Sequence, residues 1–130
     1  MITGVYEAVL YSDDIEAAVA FYRDVLGLRL AKPPTNYSAV FRMSPVSMLI
    51  VFDANVSKLA GRGAPPHGTV GQGHVAFHIA PGTYDDWQRR LNAAHLIELE
   101  RDWEPGGRSI YVRDPAGNSI ELVDGQVWPD

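Results

Sequence analysis

HVAFHIA, residues 74–80, decides the fold, because it is where the chain begins again. Its β-branched and aromatic content reads as a strand. Thr83 follows as a helix cap with Asp86 at the reciprocal position, and Tyr84, Trp87, Leu91 and Ala94 recur at helical spacing. Ile97–Glu100 is short and strand-like. Arg108–Arg113 and Ser119–Val123 are strands separated by Asp114-Pro-Ala-Gly-Asn118, a run of turn formers.

Upstream the same order is already present. Residues 5–11 (VYEAVLY) form a strand, and Ser12-Asp13-Asp14 marks a helix start with Asp13 and Glu16 at capping-box spacing. Ile15, Val19, Tyr22 and Leu26 make one apolar face, and Gly27 suits a left-handed helix end. Leu28–Ala31, Tyr37–Met43 and Ser47–Phe52 are strands, with a turn at Lys32–Asn36. The order βαβββ therefore occurs twice. Glu7 and His74 open the halves, 67 positions apart, while Ile50 and Glu121, like Asp53 and Asp124, sit 71 apart. Two modules too small to bury their sheet faces alone are expected to pair. They are expected over about 1–53 and 74–124 of a single domain, joined by a connector at 54–73 whose five glycines and adjacent prolines suggest a flap or lid carrying His67.

At 130 residues the chain is long enough for one cored domain, and 46% hydrophobic against 21% charged residues is globular composition. The absence of cysteine excludes disulfides, thiolate metal sites and a thiol nucleophile. Eleven basic against sixteen acidic residues, with no basic patch, argue against nucleic acid and anionic membrane as partners. The longest aliphatic or aromatic run, Met48–Phe52, is far short of a membrane span, and the N-terminus shows no export signal, so a cytoplasmic location is expected.

Strand alternation then singles out three residues. Glu7, His74 and Glu121 each stand among apolar neighbours on one strand face, Glu121 between Ile120 and Leu122. An unpaired buried carboxylate costs several kcal/mol, and a shared divalent cation would resolve the cost for all three. Oxygen and imidazole ligands suit zinc, nickel, manganese, iron or cobalt. Each residue also has a plainer reading: Glu7 as a surface carboxylate, His74 as a structural histidine, Glu121 as the partner of Arg113 or Arg42. His78 lies about 13 Å along the strand from His74, too far to join it on one ion, and is a cavity wall or core residue instead. Tyr111 either faces the cavity with Ser109 and Arg113 or belongs to the core.

The segments SDDIEAAVAFYRDVLGLRL (12–30), GHVAFHIA (73–80) and SIYVRDPAGNSIELVD (109–124) resemble the vicinal oxygen chelate superfamily. That group includes glyoxalase I, fosfomycin-resistance thiol transferases, bleomycin-resistance proteins and extradiol dioxygenases, and the likeness runs from about Tyr6 to Asp124. The resemblance implies an α+β fold of two tandem βαβββ modules, their curled mixed sheets pairing around a U-shaped cavity with a metal at its floor. It places the ligands at Glu7, His74 and Glu121. It also implies a homodimer in which Glu7 of one chain meets His74 and Glu121 of the other. Ser109 and Tyr111 match positions that line the cavity in the thiol transferases, and His78, Arg113, Trp103, Arg108 and Phe41 are further expected contacts or walls.

Two positions depart from the family pattern. The first ligand is often His and is Glu7 here, and Ile50 stands where glyoxalase I has a fourth ligand, a glutamate. Extradiol dioxygenases normally use two His and one carboxylate. The implied function leans toward an enzyme, a metal-dependent lyase, isomerase or thiol transferase acting on a small vicinal-oxygen substrate, with a thiol as a possible co-substrate. Three ligands would leave open positions on the cation, which would act as a Lewis acid with Glu121 or Glu7 as base. The alternatives are a metal-free small-molecule binder of the bleomycin-resistance kind and a dioxygenase.

Overall fold

The structure is a computed structural model and describes residues 1–104 and 106–129. The chain divides into two compact units, Met1–Gly73 and His74–Asp130. Each is built on a four-stranded mixed sheet, with the strand order β1-β4-β3-β2 in the first and β5-β8-β7-β6 in the second.

In the first unit, β1 (Glu7–Tyr11) lies parallel to β4 (Ser47–Phe52), and β3 (Ser38–Ser44) and β2 (Arg29–Leu30) continue the sheet antiparallel. The connection from β1 is α1 (Ile15–Val19), which runs into a π-helical turn at Ala20–Val25. The periodic residues Ile15, Val19, Tyr22 and Leu26 are all buried, as their spacing requires. The helix begins one residue later than the capping-box spacing suggests. Asp14, in extended conformation, accepts the Ala17 N–H at 2.9 Å, so Asp14 and not Asp13 is the cap. Gly27 takes φ +74°, and the Leu28 N–H reaches back to the Tyr22 carbonyl at 2.8 Å, closing the π-helical turn through a left-handed residue. The sheet face toward the helix carries Leu49, Val51, Ala39 and Phe41, all essentially inaccessible, with the Phe41 and Tyr22 rings 5.4 Å apart. Truncating Phe41 to alanine would cost about 3–5 kcal/mol on this burial.

Residues 54–73 are more ordered than a Gly/Pro-rich connector suggests. Asp53 caps a short helix, α2 (Ala54–Ser57), by accepting the Asn55 N–H at 2.9 Å. The fully buried Ser57 donates its hydroxyl to the His67 carbonyl at 2.7 Å, and the His67 N–H returns a bond to the Ser57 carbonyl at 3.0 Å. The His67 imidazole is hydrogen-bonded to the Tyr11 hydroxyl at 2.7 Å and packs edge-on to Phe52. Local side-chain bonds thus tie the segment to its own sheet, a pattern that composition alone does not display.

The second unit repeats the plan. β5 (His74–His78) is parallel to β8 (Ser119–Asp124), with β7 (Arg108–Arg113) and β6 (Ile97–Asp102) antiparallel beyond. β6 runs two residues past the expected Ile97–Glu100. The crossover helix is α3 (Tyr84–Ala93), with Tyr84 and Leu91 buried. Thr83 precedes it, but the hydroxyl donates backward to the Ala80 carbonyl at 2.6 Å and makes no cap bond to the helix. The turn 114–118 is tightly built. The Asp114 carboxylate accepts the N–H groups of Ala116 and Asn118 at 3.0 and 2.9 Å and the Asn118 side-chain amide at 2.9 Å, and Gly117 supplies φ +88°. This turn sets the register of β7 on β8, and that register builds the site.

Candidate metal centre

Across β5, β8 and β7, His74, Ser119 and Arg113 form one row. Ala76, Glu121 and Tyr111 form the next, and His78, Val123 and Ser109 the third. Side chains in register, and those two residues apart, share one face of a sheet. The alternation seen in the sequence is therefore real, and pairing adds the residues that surround Glu121.

Glu121 is 6% exposed, and both of its oxygens have neighbours. Oε1 accepts the Ser109 hydroxyl at 2.6 Å, and Oε2 lies 3.4 Å from His74 Nε2. Ser109 has one proton to give. With that proton on Glu121, the Ser109 oxygen is the acceptor for the Trp103 indole N–H at 2.8 Å. Trp103, Ser109 and Glu121 are thereby ordered as one chain of bonds, ending on a charge-assisted one. The Tyr111 hydroxyl is pushed above the ordinary tyrosine value, first by burial and then by its hydrogen bond to Glu121, so it is a donor at neutral pH. Its ring lies near-parallel to the His74 imidazole, 6.4 Å away.

His74 Nδ1 is 3.0 Å from the Ser119 carbonyl, which can only accept. Nδ1 therefore carries the proton, and in the neutral ring Nε2 presents a lone pair to Glu121 Oε2. Two lone pairs facing each other call for a positive charge between them, a proton or a shared cation. Two ligands at about 2.0–2.2 Å from one ion, at a near-tetrahedral angle, would stand about 3.4 Å apart. An imidazole that donates its other N–H to a backbone carbonyl is the usual support for a metal-binding histidine. The His74–Glu121 pair fits a divalent cation on both counts, and the His74 side chain, 52% exposed, leaves an approach open.

The remaining expected residues are placed as follows. Glu7 belongs to the first unit, exposed at the start of β1 in a row with Met48 and Arg42. Among the described residues no group of three or more His, Asp or Glu gathers to hold a metal ion. Arg113 does not pair with Glu121. Its guanidinium is committed to Glu98, with Nη2 to Oε1 at 3.0 Å, and to the Gly117 carbonyl at 3.0 Å. That contact holds the Glu98 carboxyl below its usual range. His78 donates from Nε2 to the Gly125 carbonyl at 3.2 Å. Two expected walls lie elsewhere: Phe41 is buried under the first helix, and Arg108 stacks on the Tyr84 ring at 3.7 Å. Both sit at the alternate strand positions, which turn to the opposite sheet face.

Beside Glu121 a cavity of about 150 Å³ opens within the second unit, walled by Trp103, Val123, Val127 and Trp128. The tail residues Val127 and Trp128 were not legible as part of the site. Their only signal is two large apolar side chains in an otherwise polar tail. A larger groove of about 850 Å³ along Asp13, Glu16, Arg23 and Asn36 gathers no comparable ligand pair. No helix among the described residues is long and apolar enough to cross a membrane.

Residues 4–122 match the family described as Glyoxalase/Bleomycin resistance protein/Dioxygenase superfamily. The chain is 38% identical to a lactoylglutathione lyase from Agrobacterium tumefaciens of known structure, with a TM-score of 0.89 and 98% of each chain covered. It is 25% identical to the metallothiol transferase FosB of Staphylococcus haemolyticus, over 98% of this chain and 87% of that protein. The fosfomycin resistance protein FosX of Listeria monocytogenes shares the fold, with a TM-score of 0.69 at 21% identity over 98% and 97% of the two chains.

Proposed function

Because the chain belongs to the glyoxalase/bleomycin resistance protein/dioxygenase superfamily, we propose that it is a metal-dependent enzyme, a lyase, isomerase or thiol transferase, that binds a small vicinal-oxygen substrate on a divalent cation. The observation that carries this reading is the fixed tautomer of His74, which aims Nε2 at the Glu121 carboxylate 3.4 Å away. The enzyme names of the relatives, a lactoylglutathione lyase and a metallothiol transferase, support the same class and a thiol co-substrate.

In this reading His74 and Glu121 hold the cation, and Glu7 completes the set from a second copy of the chain in a homodimer. The ion, one of zinc, nickel, manganese, iron or cobalt, supplies Lewis-acid stabilisation of negative charge developing on the substrate. The protein's own groups do the rest. Ser109 pins one Glu121 oxygen and leaves the other toward His74, so the carboxylate keeps a single orientation. Tyr111 keeps its proton and directs it to the Glu121 carboxylate, a further tie on the group that would hold the cation. Glu7 or Glu121 accepts the substrate proton.

Elemental analysis of the purified protein before and after chelation tests this. About one divalent ion per chain, reduced to background by Glu121→Ala and by His74→Ala, is the expected result. It should be accompanied by metal-dependent turnover of a thiol hemithioacetal of an α-oxoaldehyde. A protein that takes up none of the five metals overturns it. The apolar cavity with two indoles favours one second reading, metal-free capture of an aromatic ligand. Tight aromatic binding indifferent to chelators would select that reading.

A further inference from the structure

The geometry points to a substrate whose group beyond the chelating oxygens is flat, apolar and uncharged, held between Trp103 and a wall formed by the chain's own tail. This inference rests on the metal-site reading for the position of the oxygens, and on the cavity alone for the nature of the rest. The cavity of about 150 Å³ adjoins Glu121. Apolar cavities of about this size take a benzene ring. Its walls are mainly apolar, with Trp103, Val123, Val127 and Trp128 among them; Glu121 and His78 are the ionisable residues of the described lining, which holds no Lys or Arg. A second anionic group, such as a phosphonate, would face the Glu121 carboxylate, and the one imidazole in the described lining, His78, has its Nε2 engaged by the Gly125 carbonyl.

The wall is built by specific contacts. After β8 the tail turns at Gly125, with φ +81°, and passes so close to Gly107, with φ +92°, that a Cβ on Gly107 would stand 2.8 Å from the Gln126 carbonyl oxygen and 2.9 Å from the Val127 side chain. His78 fastens the same turn by donating to the Gly125 carbonyl at 3.2 Å. Trp103 is fixed from the other side. Its indole N–H is held by Ser109, and the Arg101 guanidinium covers one ring face at 3.8 Å. Trp128, by contrast, is 73% exposed, an apolar surface that a ligand ring would cover. One rigid indole and one exposed indole flanking an apolar hole make a clamp for a planar group.

Benzohydroxamate and acetohydroxamate present the same pair of chelating oxygens and differ in phenyl against methyl. With the purified full chain in its metal-bound form, calorimetry should give benzohydroxamate an affinity higher by about tenfold or more. The indole N–H resonances of Trp103 and Trp128 should shift with benzohydroxamate and not with acetohydroxamate. Trp128→Ala should bring the preference below about threefold. Gly107→Ala, which displaces the tail by a different route, should do the same. Equal affinities for the two compounds, or a preference that survives both variants, overturn the inference. Benzamide and acetamide, which do not chelate, separate it from the metal reading. If the protein holds no metal, benzamide alone should still shift the two indole signals, and absence of that shift overturns the clamp by itself.

Discussion

Across the first sheet, the middle row of the face turned away from the helix reads Val9, Ile50, Val40. Across the second, the equivalent row reads Ala76, Glu121, Tyr111. The rows of the opposite face are apolar in both: Leu10, Val51 and Ala39 in one, Phe77, Leu122 and Ile110 in the other. The comparison separates two tasks that a single strand performs on alternate residues. The helix-facing residues bury apolar area and hold the unit together. The other face is free to carry chemistry, and only the second unit's middle row has been given an ionisable pair of neighbours. Ile50 shows what that position is without it, an aliphatic residue in a packed row.

The sharpest way to break the comparison is to make the second row resemble the first. Glu121→Ile should abolish stoichiometric metal and lower activity by more than about 100-fold, beyond the range seen when only a supporting bond to a ligand is lost. Thermal unfolding should move little, because an aliphatic side chain of similar size suits a buried position there. Metal analysis and a melting curve on the same sample check both halves. Ser109→Ala leaves the carboxylate but removes its anchor and strips the Trp103 N–H of its acceptor. Metal affinity should fall about 10–100-fold, read by competition with a chelator.

The two β-hairpins closing the units offer a smaller contrast. Asp114→Ala removes a carboxylate that accepts three hydrogen bonds in a buried turn, and should cost about 2–4 kcal/mol in urea unfolding. Its counterpart in the first unit, Ser44, bonds Ser47 at 2.8 Å and the Val46 N–H at 3.2 Å at a more exposed two-residue turn, and Ser44→Ala should cost about 1 kcal/mol or less.

The smallest effect concerns pH. Glu98 titrates below its ordinary value in the folded state because Arg113 bonds it. A depressed carboxyl contributes stability above its unfolded value and loses it as pH falls through the folded one. Arg113→Met should return Glu98 to the ordinary range and erase that acid-side contribution, as a carboxyl NMR titration would record.

Much of this is legible in the sequence alone. The doubled βαβββ order follows from periodicity, and Gly27 at positive φ from its place after Leu26. Alternation alone put His74 and Glu121 on marked faces, since a strand turns every second side chain the same way. What it cannot supply is register. Tyr111 beside Glu121, and Ser109 one row on, follow only once β7 is paired with β8. The Trp103–Ser109 bond, between a loop and a strand, has no periodic signature. Neither do the tail wall of Val127 and Trp128 or the Ser57–His67 tie. The cap differs from the spacing's expectation for a local reason: Asp13 and Asp14 are adjacent, and only the backbone shows which one has the extended conformation that lets it receive the Ala17 N–H.

The reciprocal bonds between Ser57 and His67 have a practical consequence. They cinch the two ends of a nine-residue excursion, 58–66, within which the backbone turns at Gly61 and Gly63 with φ of +82° and +83°. Lengthening a loop whose mouth is already tied adds little closure entropy, only about 0.6 kcal/mol per doubling. A peptide epitope or a fluorophore handle grafted after Gly63, at the exposed Ala64, would hang outside the knot, leaving Arg62 over the Phe52 ring and the imidazole seated on Tyr11.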